Sequence, residues 1–167
     1  MWKAKPAMGL FDYPTEPEQG VSGPLAPELG GRTFTFMEGA SEQDWKKILS
    51  LVETRHFRAG EDLVSLGEID DSFYILTSGT VEVMIPDRKG VLQPRAIIPE
   101  GSVFGEIAFF DAGPRSGTIR AREAGTAIRV TRKTFDHLAA WEPTLARQIL
   151  LNLGKILAAR LRAATRA

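Results

Sequence analysis

"FRAGEDLVSLGEIDDSFYILTSGTVEVMI" runs from Phe57 to Ile85. Its apolar and polar residues alternate with a period near two, and Gly60, Gly67 and Gly79 punctuate it. A period of two sends successive side chains to opposite faces of a strand, and glycine supplies the backbone freedom of tight turns. "DLVSLG", "SFYILTSG" and "TVEVMI" therefore read as short strands. "PRAII" and "AIRVTR" continue the pattern, with more glycine turns, as far as Val130. Short strands at this spacing predict a β-barrel or jelly roll. Phe73 and Tyr74 are adjacent in one strand, which turns one of them toward the core.

Helical signals flank the strands. Ser41 is a good N-cap, Asp44 stands three residues on, and Trp45, Ile48, Leu49 and Val52 follow at helical spacing, predicting a helix from about 42 to 54. "RKTFDHLAAW" precedes Pro143, which suits the first turn of a further helix. Ile149, Leu150, Leu153, Ile156, Leu157 and Leu161 form an apolar stripe there, with Arg147, Lys155, Arg160, Arg162 and Arg166 around it. Residues 1–33 hold five of the ten prolines and read as a flexible arm, in which Trp2, Leu10, Phe11 and Tyr13 are candidates for local docking. The folded unit is then 34–167, with 143–167 as its terminal helix. The fold class is α+β and mainly β.

Composition narrows the function. Lysine plus arginine number 21 and aspartate plus glutamate 21, so no global positive charge argues for nucleic acid. No cysteine is present, which excludes disulfides, thiolate metal sites and cysteine catalysis. No stretch approaches the ~18 apolar residues of a membrane span, and the N-terminus lacks a signal-peptide pattern. These features predict a soluble cytoplasmic protein. The two histidines, His56 and His137, fall in different segments and read as structural, too few for a cupin-type metal enzyme. Glu68, Asp70 and Asp71 read as a solvated acidic turn. No catalytic residue and no metal ligand is expected.

A second stretch carries the chemistry. "FGEIAFFDAGPRSGTIRA", Phe104 to Ala121, sets Glu106 and Arg115 in a mostly apolar context. A helical turn entered through Gly105 presents free N–H groups and a positive dipole end to an anion. A guanidinium grips phosphate with two parallel hydrogen bonds. A carboxylate accepts hydrogen bonds from sugar hydroxyls. An anion beside a sugar hydroxyl describes a nucleotide. The plainer alternative is an Arg115–Glu106 salt bridge in a structural turn.

Phe104-Gly105-Glu106-Ile107-Ala108 followed by Pro114-Arg115-Ser116-Gly117-Thr118 resembles the phosphate-binding cassette of cyclic nucleotide-binding domains, the family of the catabolite activator protein and protein kinase A regulatory subunit type. The framework glycines extend the resemblance to about residues 36–162. It implies an antiparallel β-roll with an N-terminal helix and C-terminal helices. By that resemblance Arg115 holds the cyclic phosphate and Glu106 the ribose 2′-hydroxyl. Backbone N–H groups near Ile107, Ala108 and Ser116 cradle the phosphate, Val83 and Phe104 line the sugar and base, and Gly105 and Gly117 complete the ligand-binding set. Thr165, near the end of the long helix, stands where family members reach the base. Gly117 departs from the family's usual alanine. Ser116, where threonine often accompanies cyclic GMP (cGMP), tilts the preference toward cyclic AMP (cAMP); a cyclic dinucleotide stays open.

The resemblance further implies that the long helix closes over the pocket and can form a homodimer. No helix-turn-helix pattern follows it, so direct DNA binding is not expected. Two functions stand at this point. One is a cyclic nucleotide sensor that signals to an unknown protein effector. The other is an interaction scaffold that keeps the fold around a non-functional pocket.

Overall fold

The computed structural model describes residues 28–29, 32–33 and 36–166. Most of the stretch read as a flexible arm, with its four aromatic and apolar docking candidates, lies outside these residues. Within it, β1 (Glu28–Leu29) and β2 (Arg32–Thr33) pair as a short antiparallel ladder. That ladder departs from the expectation of an arm without periodic structure. Two residues per strand are enough to pair even beside a Pro-rich segment.

Helix α1 (Glu42–Leu49) starts where its cap predicts. The Asp44 amide donates to Ser41 Oγ at 3.1 Å, and the Ser41 amide donates to Asp44 Oδ2 at 3.0 Å. This reciprocal box satisfies two amides that the first turn leaves open. The helix ends earlier than expected, because residues 53–57 join a sheet instead. They form β3 (Glu53–Phe57), whose ladder partner β10 (Gly125–Val130) lies far along the chain.

Six more strands complete two sheets: β4 (Asp62–Val64), β5 (Phe73–Ser78), β6 (Val81–Pro86), β7 (Leu92–Ile98), β8 (Val103–Phe104) and β9 (Thr118–Ala121). One sheet has the order β3-β10-β5-β8 and the other β4-β9-β6-β7, with antiparallel pairing throughout. Pro94 sits inside β7, which is tolerated because β7 is an edge strand and needs no donor on its open side.

Two cores result. Side chains from all eight strands fill the space between the sheets, among them Phe57, Leu63, Tyr74, Leu76, Val83, Ala96, Phe104, Ile119 and Ala127. The outer face of the first sheet packs on the helices through Phe73, Ile75, Val103, Ile128 and Val130. The alternation in β5 therefore has two buried faces, and Phe73 and Tyr74 are both in a core rather than one of them. This follows from a central strand covered by helices on one side and a second sheet on the other.

The covering helices are α2 (Glu106–Asp111), α3 (Arg132–Trp141) and α4 (Pro143–Arg166). Thr131 caps α3 by accepting the Thr134 amide at 3.0 Å. Pro143 opens α4, which has 24 residues. The expected single stripe on α4 is in fact two faces. Leu145, Ala146, Ile149, Leu153, Ile156 and Ala159 are buried, whereas Leu150, Leu151 and Leu161 are exposed. Phe109 of α2 touches Phe73 of β5 and Phe135 of α3 edge to face, with centroids 4.9 and 5.4 Å away.

Gly125 marks the tightest point of the roll. A Cβ there would lie 2.1 Å from the Ser78 carbonyl oxygen, a backbone atom with no room to retreat. Gly125→Ala is expected to lower stability by about 1–3 kcal/mol, as overpacking does. The midpoint of urea unfolding checks this, and an unchanged midpoint contradicts the register of β5 against β10.

Candidate functional site

A cavity of about 50 Å3, partly open to solvent, lies between the second sheet, α2 and α4. Val64, Val83, Ile85, Ile98 and Ile119 form its apolar wall, and Phe104 to Ala108, Arg115 to Gly117 and Arg160 complete it. The chain thus gathers Val83, Phe104, Gly105, Glu106, Ile107, Ala108, Arg115, Ser116 and Gly117 in one place. It does not bring Thr165 there. Thr165 is exposed and donates to the Arg162 carbonyl of its own helix at 3.1 Å. A residue one turn from a helix end satisfies its hydroxyl locally, and Arg160 is the side chain by which α4 reaches the cavity.

Arg115 is 3% exposed, and its surroundings are built for its charge. Nη1 donates to the Ser72 carbonyl at 2.7 Å and to the Gly105 carbonyl at 2.9 Å. Nη2 donates to Ser72 Oγ and pairs with Asp70 Oδ2, both at 3.0 Å. A guanidinium has five N–H donors. Four are engaged, and the fifth, Nε, is buried without a partner. The two-pronged grip expected from the sequence is therefore not what the side chain offers, because its outer nitrogens hold the protein. What remains is one buried N–H, on a guanidinium whose charge Asp70 already partners. The backbone of Arg115 is fixed as well, its amide donating to the Glu68 carbonyl and its carbonyl accepting from Gly67, both at 2.8 Å.

Gly105 is required by this arrangement. Its φ is +80°, a region that side chains avoid, and a Cβ there would come 2.7 Å from Arg115 Nη1. The arginine itself makes the close approach to this glycine. Gly105 is also the N-cap of α2, whose first amides have no acceptor within the helix. Ile107 and Ala108 line the cavity together with Arg115.

Glu106 is 2% exposed and does not pair with Arg115. Its Oε1 accepts from Arg160 Nη1, and Arg160 Nη2 donates to the Val103 carbonyl at 2.7 Å. So the simple salt bridge between the two cassette residues is not formed, and each ion has its own partner from a distant element. Sequence reasoning missed Asp70, Ser72 and Arg160. No local pattern marks them, although a lone Asp-Asp-Ser before a strand and an arginine among leucines were visible. The acidic turn is likewise not simply solvated, since Asp70 bridges Arg115 and Arg129.

Among the described residues no group of three or more His, Asp or Glu side chains could hold a metal ion, and no helix is long and apolar enough to cross a membrane. His56 and His137 lie on β3 and α3, both exposed.

The profile of the cyclic nucleotide-binding domain matches residues 54–140. Glutaminase 1 of Bradyrhizobium diazoefficiens is 30% identical over 126 residues, 75% of this chain and 20% of that protein. The cAMP-dependent protein kinase regulatory subunit of Mucor circinelloides f. lusitanicus is 32% identical over 103 residues, 62% of this chain and 24% of that one. The chain thus aligns with about a fifth to a quarter of the length of these relatives. The solved Thermus thermophilus Catabolite Activator Protein superposes with a TM-score of 0.69 at 25% identity, covering 78% of this chain and 59% of that one.

Asp70 ties the cavity to the fold's acid response. Burial opposes its charge, but the Ser72 hydrogen bond and the Arg115 and Arg129 guanidiniums together hold its carboxyl below the ordinary value of 3.8. Such a group stabilises the fold above its ordinary value and loses that contribution as pH falls through the lowered one. Asp70→Asn is expected to cost about 1–3 kcal/mol near neutrality, the range for charged hydrogen bonds. The gap from the unchanged protein should shrink as pH drops below 3.8. Urea midpoints over an acid series check this, and a gap independent of pH contradicts it.

Proposed function

The chain belongs to the cyclic nucleotide-binding domain family, and on that premise we propose that it is a cAMP sensor signalling to a protein effector through α4. The observation that carries the reading is Arg115, a residue of the cavity lining whose Nε is buried without a partner. A buried donor without an acceptor costs about 1–3 kcal/mol, and a phosphate oxygen would satisfy it with a charge-assisted bond.

In this reading the cyclic phosphate accepts from Arg115 Nε and from the amides near Ile107, Ala108 and Ser116. The ribose 2′-hydroxyl donates to Glu106. Val83, Ile85, Ile98 and Phe104 pack on sugar and base. Serine rather than threonine at 116 favours cAMP over cGMP. Ser116 is the one hydroxyl and Glu106 the one carboxylate of the lining, with no histidine among them. We propose a binding rather than a catalytic role, and a cytoplasmic setting.

Ligand and α4 share the cavity wall through Arg160, so occupancy and the seating of the helix are linked, and an effector that prefers one state tightens or loosens the ligand in return. The outward face of α4 supplies a second surface. Leu150, Gly154, Leu157 and Leu161 recur at alternating steps of four and three, the spacing of a two-helix seam. We assign it to a homodimer, in which two copies bury these residues together.

Calorimetric titration of nucleotide-free protein with cAMP and with cGMP tests the reading. Micromolar or tighter cAMP binding is expected, weakened by about 2–5 kcal/mol in Arg115→Ala, which leaves a buried phosphate unpaired. Absence of heat with both nucleotides returns the chain to the scaffold reading. Sedimentation of the same protein tests the seam. A dimer that Leu161→Glu dissociates is expected, and a monomer at all concentrations contradicts it.

A further inference from the structure

Charge is balanced over the whole chain but not along it. Lysine plus arginine equal aspartate plus glutamate at 21 each. From Pro143 onward, however, there are five lysines and arginines and no aspartate or glutamate. From Pro6 to Gly31 the reverse holds, with Asp12, Glu16, Glu18 and Glu28 and no lysine or arginine. Segregation of this kind sets one end of the chain to attract the other.

On α4 the excess charge is ordered. Arg147, Leu151, Lys155, Ala158 and Arg162 recur at steps of four, four, three and four, so they share one face of the helix. All five are exposed, Leu151 at 53%. Among the described residues no carboxylate lies within ion-pair distance of Arg147, Lys155 or Arg162. Arginines of the roll and of α3 are treated differently, since Arg55, Arg120, Arg129 and Arg132 each have a carboxylate. The stripe is also distinct from the seam assigned above. Leu150, Gly154, Leu157 and Leu161 each stand one residue before a member of it, a rotation of about 100°. On the opposite flank Gln148 and Asn152 stand one residue after Arg147 and Leu151. Those two line a polar crevice of about 200 Å3 together with residues 37–40. The root of the N-terminal segment therefore lies against α4, beside the basic stripe.

We propose that the acidic, aromatic stretch Leu10–Glu18 of the same chain docks on this stripe. Its sequence is "LFDYPTEPE". Asp12, Glu16 and Glu18 supply one carboxylate for each of Arg147, Lys155 and Arg162, and Leu10, Phe11 and Tyr13 supply apolar cover for Leu151 and Ala158. Reach permits it. Eighteen residues lead from Glu18 to Phe36, and the β1–β2 ladder with its turn takes up six of them. The other twelve span about 40 Å, and the 24 residues of α4 about 36 Å. Exposed ion pairs are weak singly, but a tether makes their formation intramolecular and raises the effective concentration of the stretch. An effector that approaches α4 from this side has to displace it. The docking does not depend on what the cavity binds.

The test uses the full chain. It has no cysteine, so Thr15→Cys carries a nitroxide at a single place. In isotopically enriched protein the amide signals of residues 147–162 on the outward side of α4 should lose most of their intensity, and those of β6 and β7 should not. Reversal of the three acids (Asp12→Lys, Glu16→Lys and Glu18→Lys) should restore the signals. Reversal of the three bases (Arg147→Glu, Lys155→Glu and Arg162→Glu) should do the same, and combining both sets should bring the broadening back. Thermal melts identify a set that unfolds, and the set that keeps its fold decides. Absence of broadening on α4 in the unreversed chain overturns the proposal and leaves the stripe to an outside partner. Broadening that survives reversal of the charges overturns it too. A mixture of nitroxide-bearing unenriched chain with enriched unlabelled chain should show no broadening, and its appearance there would put the stretch on a second copy instead.

Discussion

A guanidinium buried to 3% exposure is the constraint on which the site depends. Arg115 enters a cavity wall only because Ser72, Gly105 and Asp70 take four of its five donors. Each of those partners imposes a condition on the fold. Ser72 fixes the start of β5. Gly105 must lack a side chain so that the guanidinium can lie against it. Asp70 must stay charged, and Arg129 of β10 helps to keep it so. The turn before β5, the entry to α2 and the middle of β10 are thereby locked around one side chain. What is left over, Nε, is a directed donor in a low-dielectric wall, where a hydrogen bond to an anion is worth most.

The second ion pair ties the cassette to the long helix. Arg115 joins the cassette to the sheets, and Arg160 joins it to α4. The aromatic contacts of Phe109 with Phe73 and Phe135 carry the same α2 turn into the helical core. Arg132 adds a hydrogen bond to the Phe109 carbonyl at 2.9 Å, closing the end of α2 against the start of α3. A short helix held at its first residue by α4 and at its fourth by α3 cannot shift without moving one of them. The coupling proposed above would run through these packed side chains, which have few alternative arrangements.

Local pattern made much of this legible. The strands of the roll, the Ser41 cap, the Pro143 helix start and the cassette from Phe104 to Thr118 are all short-range features of the chain. Nine of the ten residues expected at the site line one cavity for that reason. The partners of Arg115 and Glu106 were not legible, because they stand 43 and 54 residues away and only the closing of the roll and the return of α4 bring them near. Thr165 misled because helical position was judged without knowing how α4 is rotated. The same rotation divides the leucines of α4 into a buried and an outward face, which a stripe drawn on sequence spacing merges. Helix α1 ended early for a related reason. A ladder with β10 competes with helix for residues 53–57, and that competitor is invisible locally.

In the proposed complex the cyclic phosphate accepts from Arg115 Nε. The most direct measurement is the arginine Nε–H nuclear magnetic resonance of isotopically labelled protein during titration with cAMP, with the Arg115 signal assigned by its loss in Arg115→Lys. A saturable downfield shift of that one proton and slower exchange with water, tracking the binding isotherm, are expected. A resonance that stays in place while cAMP binds would put the phosphate elsewhere and contradict the account.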